Sequence, residues 1–368
     1  MGQVPEIKDC CKEGNAGAVE ICKKLLPDWE TLSVGDVEVS TVSGGITNAL
    51  LKVSPKADSG VSPVVVRIFG PFTELLVDRE REARVLVQLN QAGFGAKVLG
   101  LFGNGRIEEY LDCKALEPTE MANPILTERI AQKLYEFHSV AVEGESKEPQ
   151  LFSTARRMIK MAKELKFESE SDRKAVEALD LDGVAKEVDR MEEICKTTGS
   201  PLVCSHNDLL SGNILLIRSP SDSTEGFDEA SSPMNFIDFE YGTYSYRGFD
   251  LGNHFNEYAG FDCDWSLYPD TQQQKRFLSA YLHAKNGSDP SNGETVDERD
   301  VERLVAEADV FSLMSHVYWG VWSIIQAKYS SIDFDYLGYS KNRLDQYFAR
   351  KPSVLKAAGK IFSIGAGD

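Results

Sequence analysis

The sequence predicts an α+β protein of two lobes: a small N-terminal lobe built on an antiparallel sheet, then a larger, mainly helical C-terminal lobe. Three observations carry this. Between residues 37 and 111, short apolar runs rich in β-branched residues alternate with Gly- and Ser-containing turns, and one helical stretch interrupts them. After Pro118 the apolar spacing becomes that of helices and stays so almost to the end of the chain. A length of 368 residues is enough for two lobes or two modest domains. The expected organisation is a helical lead-in over 1–36, a first lobe over 37–115 and a second over 116–368.

Each element follows from local pattern. In the lead-in, Val19, Ile21, Cys22, Leu25 and Leu26 form an apolar stripe. Strands are expected at Val37–Val42, Ala49–Val53 and Val64–Phe69, the first two joined by the Gly-containing turn Ser43-Gly44-Gly45-Ile46-Thr47-Asn48. A helix over 73–91 places Leu86 and Leu89 on one face, and strands follow at Lys97–Phe102 and Arg106–Leu111. Helices are then expected over 127–140, 152–167 and 172–197, and again over 248–258, 271–285, 299–329 and 340–351. The interruption at 201–240 reads as strand and loop, with Ser219–Pro233 the tip of an elaborated hairpin; Asn286–Glu298 is a second polar surface loop.

Composition narrows the function. Hydrophobic residues at 42% and charged residues at 27% are ordinary for a soluble globular protein. A net charge of −18 argues against a nucleic-acid binder and against an anionic membrane surface as partner. Seven cysteines without C-x-x-C spacing read as reduced thiols of a cytosolic protein, a catalytic or metal-binding Cys being the minor alternative. The start lacks the basic and apolar regions of a signal peptide, Glu6 breaks a myristoylation motif, and no apolar run approaches the ~18 residues of a membrane span. The expected location is the cytoplasm.

The sharpest chemical signal is Ser205-His206-Asn207-Asp208-Leu209-Leu210-Ser211-Gly212-Asn213, followed downstream by Phe236-Ile237-Asp238-Phe239-Glu240. Phosphoryl transfer from ATP needs one carboxylate to orient and deprotonate the attacking hydroxyl, and hard oxygen ligands to hold Mg²⁺ against the phosphates. Asp208 fits the first role, and Asn213 and Asp238 the second. The loop between Asp208 and Asn213 is short, so both side chains can face one cleft. His206 reads as a support of the loop rather than the base. The bland alternative, in which Asp208 makes an Asx turn and Asp238 ends a strand, leaves the joint spacing unexplained.

With these residues in view, the sequence resembles the choline/ethanolamine kinase family, which shares the protein-kinase-like fold. The resemblance spans Val37 to Phe348 and rests on the turn Ser43–Asn48, Val66-Arg67-Ile68-Phe69-Gly70, the Asp208 loop, the Asp238 segment and Tyr246-Arg247-Gly248-Phe249-Asp250-Leu251-Gly252-Asn253-His254-Phe255. It implies ATP and Mg²⁺ as cofactors. It implies a phosphate-binding loop made of Ser43, Gly44, Gly45, Thr47 and Asn48, where small residues let backbone N–H groups approach phosphates. Arg67, a mid-strand charge that needs a partner, matches the basic residue that contacts ATP. Glu82 matches its acidic partner best by spacing, with Glu80 as the alternative. Glu109 and Leu111 match the hinge that receives adenine. Asp250 matches a support behind the catalytic loop, helix capping being the equal alternative.

The acceptor implied is an alcohol with a cationic nitrogen. Asp208, Glu240, Glu257, Trp319, Trp322 and Tyr339 match the acceptor-binding positions. On residues alone the Trp319/Trp322 and Tyr336/Tyr339 pairs, each at i,i+3 spacing, read first as core packing; the resemblance assigns Trp319, Trp322 and Tyr339 to the pocket. The sequence points both ways between acceptors. The Trp pair suits the aromatic cage of choline, whereas Leu209-Leu210 and Asn256-Glu257-Tyr258-Ala259-Gly260-Phe261-Asp262 resemble the ethanolamine branch. Ethanolamine is the favoured substrate, its phosphorylation being the first step of phosphatidylethanolamine synthesis; a choline or dual-specificity kinase is the runner-up. A kinase-like scaffold without activity is a third reading, opposed by the presence of Asp208, Asn213, Asp238 and Arg67. A homodimer is left open.

Overall fold

The structure is a computed structural model and describes residues 15–42, 48–56, 59–70, 78–218, 226–330 and 332–362. It divides into two compact units, the first running to Cys113 and the second beginning at Lys114.

Among the described residues, the first unit is an antiparallel sheet with two α-helices. The helix α1 (Asn15–Leu25) precedes the strands β1 (Val37–Val42), β2 (Asn48–Pro55) and β3 (Val64–Phe69). The helix α2 (Arg79–Gln91) and the strands β4 (Val98–Phe102) and β5 (Gly105–Glu109) complete the unit. The sheet order is β1-β2-β3-β5-β4, with Val39 opposite Val53 and Leu51 opposite Val66. The lead-in segment is part of this unit's core. Ala18, Val19, Ile21, Cys22 and Trp29 bury themselves with Val37, Val53, Val66 and Ile107, which removes their apolar surface from water. At the crossing of β3 and β5 only glycine fits, because a Cβ on Gly105 would stand 2.2 Å from the Arg67 carbonyl oxygen. Of the helix expected over 73–91, residues 73–77 lie outside the described residues; the part described begins at Arg79, capped by Asp78, whose side chain accepts the Arg81 N–H.

The short strand β6 (Cys113–Ala115) leads into the second unit, which is mainly helical. The expected helices appear as α3 (Pro124–His138), α4 (Leu151–Glu164), α7 (Arg247–Asn256), α8 (Thr271–Asn286), α9 (Glu298–Tyr329) and α10 (Tyr336–Ala358). The single helix expected over 172–197 is two, α5 (Glu170–Ala178) and α6 (Leu181–Thr197). Asp180 separates them at φ 46° and accepts the Gly183 N–H, so a side-chain cap overrides an otherwise continuous helical pattern. Helix α10 extends beyond the expected 340–351 at both ends and runs through Pro352. The strands β7 (Leu202–Ser205) and β10 (Thr243–Tyr246) pair antiparallel, as do β8 (Ile214–Ile217) and β9 (Met234–Phe236). The latter pair is the hairpin whose tip the sequence placed at Ser219–Pro233; residues 219–225 of that tip lie outside the described residues.

Helix α9 is the spine of this unit. Its buried face runs from Val301 to Ile325 almost without a break, so it is packed on several sides rather than amphipathic at a surface. Helix α7 lies against it at backbone contact. A Cβ on Gly252 would meet the Ala308 carbonyl oxygen at 2.4 Å and the Ser312 nitrogen at 2.5 Å. That approach carries Asp250, Asn253 and His254 into the interior, all three fully buried.

Candidate active site

The segment between β7 and β8 carries Asp208 and Asn213. Asn207 sits at φ 66°, a left-handed conformation that asparagine tolerates better than most residues. The Asn213 amide donates to the Asp208 carbonyl oxygen at 2.8 Å and reaches Asp208 Oδ2 at 3.4 Å. Its NH₂ is thereby used inside the loop, leaving the amide oxygen as its acceptor. The Ile237 N–H donates to the Asn213 carbonyl oxygen at 3.1 Å, which brings the next residue, Asp238, beside the loop. Asp238 is itself at φ 65°. Two non-glycine residues in left-handed conformations, each worth of order 1–3 kcal/mol of strain, mark a segment over-determined by its surroundings.

Those surroundings are buried and polar. The Asp250 carboxylate accepts the backbone N–H of His206 and that of Asn207, each at 2.7 Å, and lies 2.9 Å from His138 Nε2. Asp250 therefore supports the loop from behind; it is not the cap of α7, which has no side-chain cap. His206 Nε2 lies 2.9 Å from the Ile237 carbonyl oxygen, and the Asn207 amide donates to the Tyr241 carbonyl oxygen at 2.8 Å. From α7, Asn253 Nδ2 donates to the Asn207 carbonyl oxygen at 3.1 Å, and His254 Nδ1 is 2.9 Å from that of Leu209.

The electrostatics separate the carboxylates. Burial pushes the half-buried Asp208 carboxyl well above its ordinary range; the neighbouring charges of Glu257, Asp238 and Glu240 push it further, against the Asn213 hydrogen bond. Asp250 goes the other way: burial alone would raise it, but the His138 hydrogen bond and the nearby histidines outweigh that and lower it. Burial lowers His206, and takes His254 down to about 4, so both imidazoles are neutral supports at neutral pH.

An aromatic wall stands beside the loop. Trp319 and Trp322 of α9 meet edge to face at 5.3 Å, and Tyr241 contacts both rings at 5.1 and 6.5 Å. Their indole N–H groups are both used, Trp319 toward Asn253 Oδ1 at 2.8 Å and Trp322 toward the Tyr241 hydroxyl at 2.9 Å. Tyr339 packs against Phe261 and Phe334. Glu257 is buried, but its Oε1 accepts from Arg343 Nη1 at 3.1 Å. Glu257, expected at the acceptor, is thus already ion-paired.

In the first unit, Glu82 is not the observed partner of Arg67. Glu82 pairs with Arg79 and Arg106, each at 2.6 Å, whereas Arg67 Nε lies 3.5 Å from Glu108. Arg106 Nε also meets Glu108 at 2.5 Å, which makes one buried alternating chain from Arg67 to Arg79. Asn48 is buried at the start of β2. Glu109 ends β5, its carboxylate accepting the Lys97 N–H at 2.9 Å, and Leu111 follows half-buried. Ser43, Gly44, Gly45 and Thr47 lie outside the described residues.

Residues 39–348 match the family model described as choline/ethanolamine kinase. The chain belongs to the choline/ethanolamine kinase family. Members similar to it include a probable ethanolamine kinase of Arabidopsis thaliana, 42% identical over 91% of this chain and 85% of that one. A probable ethanolamine kinase A of Dictyostelium discoideum is 34% identical over 93% of both chains. Among solved structures, an ethanolamine kinase of Plasmodium vivax superposes with a TM-score of 0.76 at 29% identity, covering 91% of this chain and 89% of that one. As in the family, the fold is the two-lobed kinase-like one, an antiparallel-sheet lobe followed by a mainly helical lobe. Family membership makes the protein a phosphotransferase.

Four residues around this kinase loop escaped the sequence reading: His138, Tyr241, Asn253 and Arg343. Asn253 and Tyr241 lie in or beside segments already singled out, and Arg343 is one helical turn from Tyr339, so helical spacing alone puts it on the face of α10 that carries Tyr339. Nothing in the sequence around His138 joins it to Asp250, 112 residues away.

Proposed function

We propose that the protein transfers the γ-phosphoryl group of ATP to the hydroxyl of ethanolamine, giving phosphoethanolamine and ADP in the cytoplasm. In this reading the Asp208 carboxylate takes the hydroxyl proton as the hydroxyl oxygen bonds to phosphorus and the bond to the ADP oxygen breaks. Asn213 and Asp238 would hold Mg²⁺, which when bound would offset the negative charge of the phosphates. The donor set fits: hard oxygens only, and among the described residues no group of three or more His, Cys, Asp or Glu side chains that could hold a metal by themselves. That suits an ion shared with a nucleotide. Arg67 and the backbone of Ser43–Asn48 serve the ATP phosphates, with Glu82 ordering Arg67 through Arg106 and Glu108. Glu109 and Leu111 serve the adenine. Glu240, Glu257, Trp319, Trp322 and Tyr339 surround the acceptor.

The observation that carries this reading is the Asp208 carboxylate held by Asn213 within the field of Glu257, Asp238 and Glu240. Such a field favours a cationic acceptor. The relatives named ethanolamine kinase support the choice of amine. The aromatic wall of Trp319, Trp322 and Tyr241 is the feature that would equally serve choline, whose trimethylammonium binds aromatic faces.

The test is ATP- and Mg²⁺-dependent formation of ADP and a phosphorylated amine, identified by mass, across ethanolamine, choline and other amino alcohols. The highest kcat/KM is expected for ethanolamine. A higher value for choline would reassign the substrate, and no phosphorylation of any amino alcohol would overturn the reading.

A further inference from the structure

We infer that Arg343 is a positioning residue for the acceptor's nitrogen: by clamping one oxygen of Glu257 it makes the site select a primary ammonium over a fully methylated one. The inference rests on the amino-alcohol kinase reading above and assigns a determinant of its selectivity.

Arg343 is 1% exposed and every contact of its two terminal nitrogens is internal. Nη1 donates to Glu257 Oε1 at 3.1 Å and to the Tyr339 hydroxyl at 2.6 Å. Nη2 donates to the Ser315 hydroxyl at 2.9 Å and reaches the Ser315 carbonyl oxygen at 3.3 Å. The Ser315 hydroxyl in turn donates to Asn253 Oδ1 at 2.7 Å. That same oxygen receives the Trp319 indole N–H, while the Asn253 amide holds the Asn207 carbonyl oxygen beside Asp208. One buried guanidinium thus joins the acceptor carboxylate, the aromatic wall and the loop that bears Asp208. The planar fork of Arg allows this, because its two nitrogens serve two elements at once.

The chemistry of selection follows. A buried carboxylate with no partner would be neutralised by any cation, methylated or not. Glu257 already has a partner, so what it offers a substrate is the accepting capacity of its second oxygen, in an orientation fixed by Arg343. A primary ammonium has three N–H donors for such an oxygen; a trimethylammonium has none and draws on the aromatic faces instead. Loosening Glu257 therefore weakens ethanolamine and leaves choline nearly as before.

The experiment measures kcat/KM of the full chain for ethanolamine, N-methylethanolamine, N,N-dimethylethanolamine and choline in the wild type, Arg343→Met, Arg343→Lys and Ser315→Ala. Arg343→Met is expected to lower the ethanolamine-to-choline ratio at least tenfold, through KM for the amine, with the loss growing with the number of N–H groups and KM for ATP unchanged. Arg343→Lys restores part of the ratio, because it keeps the charge but not the fork. An equal loss for all four amines, or an unchanged ratio, would overturn the inference. If Arg343→Met does not fold, the ratios of Arg343→Lys and Ser315→Ala decide. A wild type inactive on all four amines would refute the kinase reading itself, which separates that failure from this one.

Discussion

His138 Nε2 lies 2.9 Å from Asp250 Oδ2, and both side chains are buried. The pair joins α3 to α7, and the other His138 nitrogen is 2.8 Å from the Tyr281 hydroxyl on α8. Three helices therefore fix the carboxylate that holds the peptide N–H groups of His206 and Asn207. Replacing Asp250 by Asn keeps the volume but puts an NH₂ where a backbone N–H points. One or more buried donors lose their acceptor, at about 1–3 kcal/mol, which corresponds to roughly 5- to 150-fold if it is felt in the transition state. Steady-state kinetics of Asp250→Asn are expected to show that fall in kcat, with little change in KM for ATP. Wild-type kcat would mean that the loop does not need this support.

The buried ion chain of the first unit makes a pH-dependent contribution to stability. For Glu82, burial alone would raise the carboxyl, but Arg106 and Arg79 outweigh it and hold it below the ordinary value; Glu108 is lowered in the same way by Arg67 and Arg106. A lowered folded-state pKa gives stability that is complete above the unfolded value, about 4.3 for glutamate, and is lost as pH falls through the folded value. Glu82→Gln breaks the pairs with Arg79 and Arg106, and removal of one partner of a buried pair costs about 3–5 kcal/mol. Thermal melts of the two proteins should therefore be widely separated at pH 7 and draw together below about pH 4. A separation that does not depend on pH would contradict the charge assignment.

The close crossing of α7 and α9 is a separate prediction. Gly252→Ala places a methyl 2.4 Å from the Ala308 carbonyl oxygen, and backbone cannot yield as a side chain can. Overpacking of this kind costs about 1–3 kcal/mol. A lowered melting temperature is expected, with a fall in kcat because Asp250 and Asn253 ride on the displaced helix. Unchanged melting would show that the two helices are not held this tightly.

What the sequence revealed and what it hid follow the range of the interactions. Asp208, Asn213 and Asp238 were legible because their spacing along the chain is itself the geometry: a five-residue loop and a hairpin bring them together. Strands β3 and β4 of the first unit were legible because each is a short, mostly apolar run. His138 carries no local signature, since its partners Asp250 and Tyr281 lie on other elements and only packing joins them. Glu108 is a partner of Arg67 that spacing did not suggest. Spacing identified an acid on α2, but Arg106, hidden in the strand beside it, takes that acid and passes Arg67 to Glu108. Asp180 was missed as a helix break because apolar periodicity is continuous through it, while its cap is a side-chain hydrogen bond.

The central claim is that Asp208 accepts the proton of the attacking hydroxyl. Its most direct test is turnover of Asp208→Ala with ethanolamine, ATP and Mg²⁺, measured alongside ATP binding by calorimetry. Loss of nearly all kcat with ATP still bound is the expected result; a kcat close to that of the wild type would contradict it.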